Sequence, residues 1–129
     1  MVPITALYAG VLALLLGVLG FQVGAARSRT GISILYGDDM ELAEKIRRHA
    51  NFTESVPLAL ILMGVLELNG ASGLLLHGLG IALVVARVAH PFGLHHDNMR
   101  HPLRGVGAGV TFLVTTIAAL VAIWQFASA

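Results

Sequence analysis

The sequence predicts an all-α integral membrane protein, a four-helix up-down bundle with both termini on the non-cytoplasmic side. Residues 1–26 and 105–129 contain no Asp, Glu, Lys or Arg, and residues 55–86 contain only Glu67. Each stretch reaches the roughly 20 residues that cross a hydrocarbon core about 30 Å thick. The basic residues fall into two groups, Arg27, Arg29, Lys45, Arg47 and Arg48, then Arg87, Arg100 and Arg104. The termini and the turn Asn69-Gly70-Ala71-Ser72-Gly73 have none. The positive-inside rule therefore places both basic segments in the cytoplasm, the inner-membrane arrangement if the source is bacterial. Composition agrees: 57% of residues are hydrophobic and 12% charged, about half the ~25% charged fraction of a soluble domain.

The whole chain, 1–129, reads as a single membrane domain with spans at about 3–26, 50–69, 72–90 and 104–126. Pro3 suits the first turn of span 1, and Arg27 and Arg29 anchor its far end. This run is too long for a signal-peptide h-region and has no basic residues before it, so it reads as a retained span. Gly10, Gly17, Gly20 and Gly24 give it a stripe of small residues suited to close helix approach in lipid. The segment from Thr30 to Asp39 reads as a loop. Asp38 or Asp39 can cap a helix beginning near Met40, with Glu41 and Glu44 in its first turns. Counting back about 20 residues from Asn69 puts the membrane entry of span 2 near Ala50. Span 3 is expected to end at Pro91, which cannot continue a regular helix. Pro102 opens span 4, and Trp124 reads as an interfacial anchor.

Arg47, Asn51 and Glu54 are spaced i, i+4, i+7 and share one helical face. Arg87 and His90, at i, i+3, supply a second polar face at the same depth. Ionisable groups at such depth cost about 2.5–3.5 kcal/mol each on insertion scales unless they face an interior or a water-filled cleft. The group therefore reads either as a site for a charged ligand or as a structural Arg–Glu pair with snorkelling ends.

The string Arg47-Arg48-His49-Ala50-Asn51-Phe52-Thr53-Glu54-Ser55-Val56-Pro57 resembles the second-helix signature of the MAPEG family, the membrane-associated proteins in eicosanoid and glutathione metabolism. Ala86-Arg87-Val88-Ala89-His90 is similar to its third-helix motif, and Arg104-Gly105 to the opening of the fourth helix in microsomal glutathione transferases. The resemblance implies a homotrimer in the lipid bilayer, with glutathione bound as co-substrate between subunits near the cytoplasmic face. Carried over by position, Arg47, Asn51, Glu54 and Arg87 would hold the tripeptide, with His90 a secondary contact and Arg27 or Arg29 meeting a carboxylate. Arg104 would be the catalytic residue facing the sulfur, with Arg100, four residues away, as the alternative. Ser55 stands where leukotriene synthases carry a Tyr, which favours the bacterial or microsomal-transferase branches.

The chemistry of the residues suits such a ligand. Two carboxylates match Arg forks, and an ammonium matches Glu54. A thiol titrating near 8.5 needs a cation to ionise at neutral pH, at about 1.4 kcal/mol per unit. Arg104 at a helix N-terminus adds the helix dipole to its own charge. With no cysteine in the chain, the nucleophile arrives with the ligand.

The implied activity is a glutathione transferase of the detoxification type, acting on a lipophilic electrophile and reducing lipid hydroperoxides as a peroxidase. The alternative is a catalytically silent relative of the same fold that binds and presents lipids. A transporter would distribute polar groups through the midplane, which this chain does not. The net charge of +1 speaks against nucleic acid as a partner. No metal is expected: His95, His96, Asp97 and His101 lack helical ligand spacing and read as a solvated loop. His77, far from the polar cluster, is read as satisfying a neighbour such as Glu67.

Overall fold

The computed structural model describes residues 1–128. It contains α1 (Pro3–Thr30), α2 (Met40–Leu68), α3 (Gly73–Gly93) and α4 (Pro102–Ala127), each long and apolar enough to cross a membrane. Side-chain bonds between helix ends fix the topology. Glu67, at the end of α2, accepts from the backbone N–H groups of Ile4 and Thr5 at the start of α1 (2.9 and 2.8 Å). Tyr8 and His77, near the starts of α1 and α3, are hydrogen-bonded at 2.8 Å. Asn69 reaches Gln125 near the end of α4, while Arg48 donates to the Leu94 carbonyl just past α3. The helices therefore run alternately up and down, with Lys45, Arg48, Arg87 and Arg104 gathered at one end, here called the basic end.

Local signals set the helix starts. Asp39 caps α2 through the Leu42 N–H at 2.9 Å, Ser72 caps α3 and His101 caps α4. Two ends lie beyond their expected positions. Helix α1 continues through Arg27 to Thr30, and α3 runs through Pro91 to Gly93. Proline there withdraws one backbone donor in the last turn. The Leu94 N–H still closes onto the Pro91 carbonyl at 3.4 Å, so a single missing bond does not break the helix. His77 pairs with Tyr8 rather than with Glu67.

Leu12, Phe52, Met63, Leu76, Leu83 and Val114 stand at the centre of the apolar core. The outward faces are apolar as well, with Leu14, Phe21, Phe112 and Trp124 strongly exposed. A contiguous apolar surface of that extent belongs in lipid. The protein is a four-span membrane bundle.

Candidate functional site at the basic end

Arg87 is the largest fully buried side chain, at 1% exposure. One guanidinium nitrogen donates to Asn51 Oδ1 of α2 at 2.8 Å, and another reaches Thr111 Oγ1 of α4 at 3.4 Å. The guanidinium carbon stands 5.7 Å from the centroid of the Phe52 ring, a cation–π distance. Among the described residues, no carboxylate forms an ion pair with Arg87, and its Nε has no hydrogen-bond partner. A buried cation without a counter-ion is expensive, so the fold holds it at a cost.

Two clefts flank this group. One, of about 530 Å³, is lined by Arg47, Asn51, His90 and Arg104 together with Tyr36, Glu44, His95 and His96. The other, of about 260 Å³, is lined by Asn51, Glu54, Arg87, Thr111 and Phe112. Asn51 and Ala108 border both. The polar faces expected of spans 2 and 3 thus meet, with Asn51 as the joint. A larger cavity, of about 770 Å³, lies between the α2–α3 turn and the end of α4. It contains no charged residue, and so offers little for a charged ligand.

Arg47 and Glu54 face each other in a forked pair, both contacts 3.3 Å, and are 55% and 58% exposed. The structural Arg–Glu pair is therefore present, and it sits on the outward side of α2 beside the buried Arg87–Asn51 contact. His90 is buried, and its Nδ1 lacks a partner.

Close approach of α3 and α4 positions Arg104. A Cβ on Gly93 would fall 2.1 Å from the Arg104 backbone nitrogen, and one on Gly107 would fall 2.7 Å from the His90 Cβ. Only a hydrogen fits at either place, and that closeness brings the first turn of α4 against the end of α3.

The remaining cations lie elsewhere. Arg27 donates through Nη1 to the carbonyls of Ile32 and Leu35 (2.9 and 3.0 Å), closing its own loop. Arg29 pairs with Glu41, and Arg100 is exposed; none of the three lines either cleft. Sequence reasoning placed Glu44 only in the first turns of α2, read His95 and His96 as a solvated loop, and missed Tyr36 at the larger cleft and Thr111 behind Arg87. The loop residues gave no periodic signal, and a threonine in an apolar span is commonplace.

The model of the MAPEG family matches residues 5–124. The chain belongs to the MAPEG family. The match encloses both clefts and every residue that lines them. Within the family, the chain is similar to the inner membrane protein YecN of Escherichia coli K12, with 37% identity over 123 residues, covering 94% of this chain and 91% of that protein. The same protein from Escherichia coli O6:H1 matches equally.

Proposed function

We propose that the protein is a glutathione transferase of a bacterial inner membrane, with its basic end toward the cytoplasm. The observation that carries this reading is Arg87: a buried guanidinium with no carboxylate, bonded to Asn51 beside a cleft that two further arginines line. Three cations with two nearby carboxylates, Glu44 and Glu54, suit a ligand of two carboxylates, an ammonium and an ionisable thiol. The cleft volume lies within the range of small-ligand sites, about 300–1,000 Å³. Membership of the family and the inner-membrane relative support the same assignment.

In this reading Arg47, Asn51, Glu54 and Arg87 hold the tripeptide, His90 is a secondary contact and Arg104 faces the sulfur. The thiol proton passes to water as the Arg104 cation and the first turn of α4 stabilise the thiolate. The sulfur then attacks an electrophilic carbon of a lipophilic substrate. A C–S bond forms, and the displaced group leaves with its electron pair or the adduct takes a proton from water. With a lipid hydroperoxide, the thiolate takes the terminal oxygen as a sulfenic acid and releases the alcohol. A second glutathione then reduces the sulfenic acid to disulfide and water.

Arg104→Leu should raise the pH at which bound thiolate absorbance appears by more than about one unit, with a modest loss of affinity. Arg100→Leu, altering an exposed loop residue, should change neither. The reverse pattern would move the catalytic role to Arg100, and no thiolate with either variant or the parent would sink the transferase reading.

Arg47 and Glu54 are half-exposed on an outward helix face, where lipid would leave both poorly solvated. A second copy covering that face removes the cost and closes the clefts, which favours a homotrimer with sites between subunits. Detergent-corrected mass measurement should give three chains; a stable monomer or dimer would refute it.

A further inference from the structure

The loop between α3 and α4 folds back onto the start of α2 and brings His95, His96 and Asp97 to Glu44. Glu44 Oε1 lies 2.7 Å from His96 Nδ1 and also accepts the His96 backbone N–H at 2.9 Å. Glu44 Oε2 lies 3.5 Å from His95 Nδ1. Ligating atoms of Glu44, His96 and Asp97 all fall within 4.8 Å of one another.

A separate contact orients His95. Its Nε2 stands 3.0 Å from the Phe92 carbonyl oxygen. A carbonyl only accepts, so Nε2 carries a hydrogen, which leaves Nδ1 as the ring atom that can ligate a metal. That nitrogen faces a carboxylate. At 3.5 Å the two do not bond directly, and a cation between them would be favourable. Arg48 meets part of the need, at 2.9 Å from Glu44 Oε2. It also donates to the Leu94 carbonyl, which holds the loop in place independently of any ion.

We propose that Glu44, His95, His96 and Asp97 form a binding site for a divalent transition-metal ion of the zinc type. Two imidazoles with two carboxylates are a nitrogen–oxygen donor set that suits zinc, cobalt or nickel better than magnesium or calcium. Metal–ligand bonds of about 2.0–2.1 Å in a tetrahedron set donor atoms roughly 3.3 Å apart. The Glu44–His96 and Glu44–His95 spacings of 2.7 and 3.5 Å lie on either side of this value, and Asp97 stands within 4.8 Å of Glu44 and His96. Glu44, His95 and His96 also line the 530 Å³ cleft. The bound ion would stand at the rim of that cleft and fix the loop leading to Arg104. None of its donors is assigned a role in holding glutathione, although three of them line the same cleft.

The test uses tag-free, full-length protein in detergent, freed of metal with a chelator and titrated with Co²⁺. The expected result is a saturable visible absorbance at one equivalent per chain, lost on adding Zn²⁺ and unchanged by excess Ca²⁺. His96→Ala and Glu44→Gln should each weaken binding at least about tenfold. Because Glu44 also anchors the loop, Asp97→Asn gives the cleaner variant; it should weaken binding with no change in melting temperature. His77→Gln, at the opposite end of the bundle, should bind as the parent does. Absence of a saturable spectrum, parent-like binding by both Asp97→Asn and His96→Ala, or displacement by Ca²⁺ would each overturn the proposal.

Discussion

Arg87→Met should abolish glutathione binding while leaving the unliganded protein as stable as the parent, or more so. Arg87 is buried with one unpaired guanidinium nitrogen and no carboxylate in contact. Methionine fills a comparable, flexible apolar volume. It removes the desolvation penalty of a lone charge and sacrifices one good hydrogen bond, to Asn51. Losing one member of a buried charge pair with the ligand typically costs 2–5 kcal/mol, on the order of a hundred-fold or more in affinity. Glutathione should raise the melting temperature of the parent by mass action and leave the variant unmoved. A variant that melts well below the parent would instead make Arg87 a structural residue. Isothermal titration and thermal unfolding in the same detergent distinguish the outcomes.

Gly93→Ala should disable the site by displacing the helix that carries Arg104. The added carbon would lie 2.1 Å from the Arg104 nitrogen, 2.7 Å from the Leu103 carbonyl carbon and 2.9 Å from the Arg104 Cα. All three are backbone atoms, which cannot rotate away, so α3 and α4 must separate. Such overpacking costs about 1–3 kcal/mol or more. Thiolate formation should fall with stability, because the first turn of α4 moves from the cleft. Gly78→Ala is the control: it lies in the same helix with nothing within 4 Å of the new carbon, and should be neutral or slightly stabilising. Equal behaviour of the two variants would show that the α3–α4 contact does not govern the site.

The spans were legible because burial in lipid demands long uncharged runs, and nothing else in the chain resembles them. The motif in α2 was legible because Arg47, Asn51 and Glu54 repeat at helical spacing where charge is costly. Helix ends were less so: the expected stop at Pro91 overlooked how little one missing bond matters in a last turn. Spacing along α2 put Arg47 and Glu54 on one face, but it could not decide between pairing with each other and pairing with Arg87. Geometry assigns the buried Arg87 to Asn51 and leaves Arg47 and Glu54 to each other. The Glu44–His96 contact spans 52 residues, a separation at which no local pattern carries information. Loops return where packing sends them, and hydropathy says nothing of that.

The clasp of Glu67 on the start of α1 also makes two helices depend on each other. Val2, at the N-cap position, contributes no side-chain bond, and both carboxylate oxygens that satisfy Ile4 and Thr5 belong to a residue more than sixty positions later. Without α2 alongside, those two donors at the start of α1 would depend on water at the membrane surface. The clasp ties the first two spans into a hairpin at that end, each supplying what the other lacks.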